Sequence, residues 1–196
     1  MQSVPSLAPE VQEIFTLYEK YGHEVYGEDV TQLEHAVQSA QLAEREGYDN
    51  EVILAALFHD IGHICAIQGD KPGGKMGEYG TMSHDKIGGA YLREKGFPER
   101  MACLVENHVQ AKRYLTFKEP AYCEKLSEAS KKTLEYQGGP MDAEEAHAFE
   151  SDPLFQVSLR MRHWDEEAKE NDMPEPDLQH YMQMCQQYWI SENPQL

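Results

Sequence analysis

Val52-Ile53-Leu54-Ala55-Ala56-Leu57-Phe58 runs without interruption into His59-Asp60-Ile61-Gly62-His63. An apolar run of this kind leaves a helix no polar face, so the segment from about Asp49 to His63 is expected to be a helix buried on all sides. A buried helix that ends in two imidazoles and a carboxylate has to satisfy them, because unpaired polar groups are costly in a core. A metal ion is the most economical partner. Adjacent side chains diverge by about 100° on a helix, so His59 and Asp60 serve two neighbouring ions only if the carboxylate bridges them. His59 and Asp60 together are therefore the expected floor of a metal site.

Toward the N-terminus, Thr31-Gln32-Leu33-Glu34 reads as a capping box that opens a helix with Leu33, Ala36, Val37 and Ala40 inward and His35 in its first turn. An earlier helix is expected from Val11 to about Tyr21, stopped by Gly22, and residues 1–10, with two prolines, as a loose arm. The short loop between these helices carries Tyr26 and Glu28.

Toward the C-terminus, residues 69–80 hold five glycines and a proline and are expected to form a mobile loop beside the site. Its lysines make no phosphate loop, because no G-x-x-x-x-G-K-[ST] pattern follows a strand. Ser83 reads as the N-cap of a helix whose early member is His84, and Pro98 opens another that leads through Met101, Leu104 and Val105 to His108, with Lys112 one turn on. One helix is expected from Pro120 to about Gln137, with Ser130 and Thr133 as neighbours on a face. A short helix follows from Asp142 to Phe149, then a long one from Asp152-Pro153 to about Lys169 and a last from about Asp177 to Ile190. On the long one, Arg162 and Asp165 at i, i+3 read on spacing alone as a surface salt bridge. No alternating β pattern appears, so the class is all-α, a helical bundle, with residues 1–196 as a single domain.

The 35 acidic against 17 basic residues give a formal charge of -18, a field that repels polyanions and argues against nucleic acid or anionic lipid as a partner. A small anionic substrate is admitted only where metal ions and a few lysines or arginines reverse the local potential. No stretch approaches the roughly 20 apolar residues of a membrane span, and no apolar leader precedes the cysteines. The four cysteines are scattered without C-x-x-C spacing, as reduced core thiols would be. The expectation is a cytoplasmic protein with no membrane contact and no obligatory protein partner.

His35, His59-Asp60, His84, His108 and Asp165 fall on separate expected helices apart from the adjacent pair, as side chains converging in a bundle core must. Four imidazoles and two carboxylates suit two transition-metal ions better than magnesium or calcium. The order H, HD, H, H, D resembles the dinuclear form of the HD-domain superfamily, which includes both phosphohydrolases and diiron oxygenases. Tyr26-Gly27-Glu28, the His59–His63 stretch, Lys112, Leu126–Ser130, Gln137-Gly138-Gly139-Pro140-Met141 and Ser158–Asp165 are together similar to the phosphonate-cleaving oxygenases of the PhnZ type, relatives of myo-inositol oxygenase. The resemblance implies two iron ions, Fe(II)/Fe(III), on the six residues named, with O2 as co-substrate. It also implies oxidative cleavage of the carbon–phosphorus bond of a 1-hydroxy-2-aminoethylphosphonate-type substrate to glycine, or an N-substituted glycine, and phosphate. The small anionic phosphonate would be held by His63, Lys112, Ser130 and Arg162, with Thr133 and Gln137 in support, its ammonium would meet Glu28, and Tyr26 is the candidate displaceable ligand or lid. The alternative is an HD-family metal-dependent phosphohydrolase acting on a nucleotide or a phosphate monoester.

Overall fold

The computed structural model describes residues 7–68, 74–171 and 177–194. Their regular structure is helical except for one isolated antiparallel bridge, Lys75 with Thr81. In chain order the helices are α1 (Pro9–Tyr21), α2 (Gln32–Arg45), α3 (Asn50–Phe58), α4 (Ile61–Gln68), α5 (His84–Glu94), α6 (Glu99–Lys118), α7 (Pro120–Lys125), α8 (Glu128–Tyr136), α9 (Ala143–Glu150), α10 (Phe155–Glu167) and α11 (Leu178–Glu192). The all-α class is as the sequence implied.

Local chemistry sets most boundaries. The capping box at Thr31 forms in full: Thr31 Oγ1 accepts from the Glu34 N–H at 3.2 Å, and a Glu34 carboxylate oxygen accepts from the Thr31 N–H at 2.7 Å. Asp142 caps α9 in the same reciprocal way with Glu145. Asp177 caps α11, its carboxylate accepting from the His180 N–H.

Several expectations are corrected. The central helix does not run from Asp49 to His63: it stops at Phe58, turns through His59 and Asp60, and restarts at Ile61 as α4, bent by 46° from α3. The turn is closed by the His63 N–H on the Asp60 carbonyl at 3.0 Å, so the histidine and the aspartate sit on a corner rather than on one cylinder. Ser83 precedes α5 but makes no side-chain cap, because its backbone is left-handed (φ 57°). The helix expected from Pro120 to Gln137 is two, since Leu126 is extended and Ser127 caps α8 by accepting from the Ser130 N–H at 3.0 Å. The long helix starts at Phe155, not Asp152, and ends at Glu167, which leaves Lys169 beyond it. Of the expected loose arm, residues 1–6 lie outside the described residues, while Pro9 and Glu10 already belong to α1. Of the expected mobile loop, residues 69–73 lie outside the described residues; the rest is anchored by Met76, which is fully buried and has its N–H on the Gly80 carbonyl, while Gly74, Lys75, Gly77 and Glu78 are exposed.

The apolar stretch Val52–Phe58 is the centre of the main core, with α1, α2, α4, α5, the first half of α6 and α11 packed round it. A second, smaller core joins Ala111, Tyr114 and Leu115 of α6 to Met141, Ala146 and Phe149. Helix α6 contributes to both, and His108 and Lys112 fall at the junction. Helix α10 packs on α6, α2 and α3 and brings its C-terminal turn to the corner at Asp60. Among the described residues no single helix is long and apolar enough to cross a membrane; the bent pair α3–α4 comes nearest, and α3 is buried inside the fold.

Candidate metal centre

Four imidazoles from α2, the α3–α4 corner, α5 and α6 converge, and each is oriented by a backbone carbonyl. The Nδ1 atoms of His35, His59, His84 and His108 lie 2.8, 2.8, 3.2 and 2.6 Å from the carbonyl oxygens of Ala168, Ala56, Thr81 and Val105. A carbonyl only accepts, so each Nδ1 carries the ring proton and each Nε2 presents a lone pair. Those lone pairs meet in two sets: His35 and His59 at 3.1 Å, His84 and His108 at 3.0 Å. Two lone pairs that close repel unless a cation lies between them. This is the arrangement a metal ion relieves, and the carbonyls behind the rings are the second support that metal-bound histidines use.

Asp60 faces both sets. Its Oδ2 is 3.7 Å from His35 Nε2 and 3.6 Å from His59 Nε2, and its Oδ1 is 3.4 Å from His84 Nε2 and 3.5 Å from His108 Nε2. Asp165 Oδ1 adds to the first set alone, 3.3 Å from His35 and 3.9 Å from His59. The donors thus fit two ions with one shared carboxylate, and nitrogen with oxygen donors favours transition metals over magnesium or calcium.

The lowered carboxylates and the lowered His108 agree with that fit. Burial by itself would raise the Asp60 carboxyl, but the surrounding imidazoles of His59, His63, His84 and His108 hold it far below the carboxylate range. Burial also opposes ionisation of Asp165, and Arg162 beside it more than compensates. His108 is pushed down to about 3 by burial and by the neighbouring His84, and His63 is lowered by the same two causes, whereas Asp165 raises His35 against the effect of burial. A histidine lowered in the folded state contributes stability that is present above about 6.5 and lost as the pH falls toward 3; His35 works in the opposite sense. The two carboxylates, depressed below their ordinary range, do not titrate in this window. The metal-free protein is therefore expected to lose on the order of 2 kcal/mol between pH 7 and pH 5, or roughly 4–8 °C in Tm, measured by thermal melts after chelation. A flat profile would show that His63 and His108 do not sit in the fold as neutral rings.

His63 is different from the other four. The Thr81 N–H donates to its Nδ1 at 2.9 Å, so its proton is on Nε2, which lies 4.0 Å from Asp60 Oδ1. It is a donor facing the site rather than a lone pair facing an ion. Gly80 makes this possible: at φ 91° the chain turns the Thr81 N–H onto the ring, and a Cβ there would overlap it.

The pocket beside the centre collects every predicted substrate contact: Glu28, His63, Lys112, Ser130, Thr133, Gln137 and Arg162 all line it, as does Tyr26. Lys112 is buried, donates to Thr133 Oγ1 at 2.6 Å, and is lowered well below the usual lysine range by burial and by Arg162. The Arg162–Asp165 pair is not the surface salt bridge that spacing suggested, since the two are 3% and 7% exposed. The guanidinium is fixed on four sides, with Asp165, Glu166 and Ser130 on its Nη atoms and the Tyr122 hydroxyl at 2.7 Å from Nε. Tyr26 stacks obliquely on His63 with 5.1 Å between ring centroids, and burial pushes its phenol up to about 12. Glu28 does not stand open: its Oε1 accepts from Lys169 Nζ at 2.8 Å and from Ser127 Oγ at 2.6 Å. Lys169, Glu166, Tyr122 and Gln32 were not singled out by the sequence, and only the i+4 spacing of Glu166 from Arg162 could have signalled one of them.

Residues 32–152 match the HD domain family. An uncharacterized protein of Acanthamoeba polyphaga mimivirus is 46% identical over 184 residues, which cover 93% of this chain and 83% of that protein. A [1-hydroxy-2-(trimethylamino)ethyl]phosphonate dioxygenase (glycine-betaine-forming) of Leisingera caerulea is 40% identical over 184 residues, 90% of this chain and 88% of the relative. A hydroxymethylphosphonate dioxygenase of Gimesia maris is 37% identical over 171 residues, 87% of this chain and 84% of the relative.

Proposed function

The chain belongs to the HD-domain family and to its phosphonate-cleaving oxygenases, and on that premise we propose that it works as one HD domain that uses two iron ions and O2 to cleave the carbon–phosphorus bond of a small 1-hydroxyphosphonate. The observation that carries the reading is the pair of facing Nε2 sets on the two oxygens of Asp60. His35, His59 and Asp165 would hold one ion, His84 and His108 the other, and Asp60 both. When bound, such a pair supplies Lewis acidity at the substrate hydroxyl and the electrons that engage O2.

The chain's own side chains bind and orient. His63 keeps its proton on Nε2 because the Thr81 N–H occupies Nδ1, so it donates to a phosphonate oxygen. Lys112, whose charged form burial and Arg162 disfavour in the empty pocket, gains a counter-charge when the anion arrives and donates from Nζ to that oxygen, with Ser130, Thr133 and the Gln137 amide completing the cradle. Arg162, locked by Asp165 and Glu166, presents a fixed plane to the same group. The reaction balances without an outside reductant. R–CH(OH)–phosphonate and O2 give R–carboxylate and phosphate, both oxygen atoms being retained in the products. A 2-amino-1-hydroxyethyl substrate therefore yields glycine, an N-methylated one the N-methylated glycine, and hydroxymethylphosphonate yields formate.

The test is an oxygen electrode with iron-loaded protein and a panel of these compounds, with phosphate assayed in parallel. Uptake of one O2 per phosphate is the expected result. Equal phosphate release under strict anaerobiosis, or from a nucleotide or phosphate monoester, would replace the oxygenase with a phosphohydrolase. In the same assay Arg162→Ala is expected to raise KM for the phosphonate by about 10- to 100-fold, the size of a lost charged hydrogen bond, with metal content still near two per chain. Loss of metal instead would make the arginine a support for Asp165 and nothing more.

A further inference from the structure

Lys169 belongs to neither the candidate metal ligands nor the residues proposed to cradle the phosphonate, yet it lines the same pocket. It follows α10 and is held by both neighbours: the Ala168 carbonyl meets His35 Nδ1 at 2.8 Å, and Glu170 is clasped to the Gln38 amide by two hydrogen bonds of 2.9 and 3.0 Å. So anchored to α2, Lys169 places its Nζ 2.8 Å from Glu28 Oε1, which also receives the Ser127 hydroxyl. Glu28 is the carboxylate to which a substrate ammonium would go, and an ammonium is already there, supplied by the protein. The stretch next to it on the pocket wall, Val30 and Gln32, is uncharged, and Gln32 keeps a buried amide oxygen with no hydrogen-bond partner among the described residues.

Resting on the hydroxyphosphonate reading, we propose that Lys169 is a specificity-determining residue, a built-in counter-ion for Glu28 that makes this enzyme select 1-hydroxyphosphonates with small uncharged tails. A substrate with an ammonium tail must either break the Glu28–Lys169 pair or sit as a second cation beside it, and both penalise binding. A quaternary ammonium is disfavoured further, having no N–H to give Glu28 in exchange. A tail of hydrogen or methyl, or one with a hydroxyl for the Gln32 oxygen, leaves the pair intact.

The test compares kcat/KM from O2 uptake for hydroxymethylphosphonate, 1-hydroxyethylphosphonate and 2-amino-1-hydroxyethylphosphonate. The iron-loaded wild type, Lys169→Met and Lys169→Arg are each assayed. The wild type is expected to favour the uncharged tails by tenfold or more, Lys169→Met to move the ratio at least tenfold toward the amino compound, and Lys169→Arg to keep the wild-type ratio. A wild type that prefers the amino compound overturns the proposal whether or not the variants fold, and so does an unchanged ratio in a folded Lys169→Met. Absence of O2 uptake with all three compounds removes the reaction itself, a different failure from a reversed preference.

Discussion

Replacing Asp60 with asparagine should empty both metal positions together, taking bound metal from about two ions per chain to well under one and O2-dependent turnover down by roughly a thousandfold or more. Among the described residues the carboxylate is the one group whose oxygens face both imidazole sets, at 3.6–3.7 Å on one side and 3.4–3.5 Å on the other. Asparagine offers one neutral oxygen and, on the other arm, an NH2. That NH2 would donate to an imidazole pair where the cation belongs, so metal-free Asp60→Asn is expected to melt no lower than metal-free wild type, while the stabilisation on adding metal disappears. Asp165→Asn is the contrast, because Asp165 reaches only His35 and His59; it should keep close to one ion. Metal analysis by mass spectrometry with melts at each loading decides the matter. Two ions retained in Asp60→Asn would mean the carboxylate does not bridge.

The second large effect is expected at Gly62, which has no side chain to bind with but lies between Asp60 and His63. A Cβ there would overlap the His84 carbonyl oxygen and stand 2.7 Å from its carbon and 2.9 Å from the Gly88 nitrogen. All three are backbone atoms, so no side chain can swing aside and α4 must part from α5. Gly62→Ala should cost about 2–3 kcal/mol, or roughly 5–10 °C in Tm for a chain of this size. Because α5 starts at His84, the separation also moves one imidazole of the second set, so metal content should fall toward one before the fold is lost. A melting temperature within 2 °C of wild type would show that the two helices have room between them.

What the sequence made legible was chemistry repeated in pattern: the apolar run, the capping boxes and histidines spaced onto separate helices. The corner at His59-Asp60 was not visible, since nothing in Phe58-His59-Asp60-Ile61 breaks a helix by propensity; just beyond it Gly62 lets α4 lie against α5. His63 looks like its neighbours in sequence, and only the Thr81 N–H, 18 residues away, sets its tautomer apart. The Arg162–Asp165 spacing is the same on a surface as in a core, and packing on α6 and α2 decides between them. Lys169 was hidden by the expectation that its helix continued, which would have put it one turn past Asp165 rather than on Glu28.

The bond between His35 and the Ala168 carbonyl joins positions 133 residues apart. A chain emerging from the ribosome therefore exposes His35, His59 and Asp60 long before the strand of backbone that orients the first ring exists. Tight metal capture must be among the last events of maturation, after α10 has docked. Metal uptake during refolding should then lag the recovery of helical signal, and the ion becomes a reporter of finished topology rather than its nucleus.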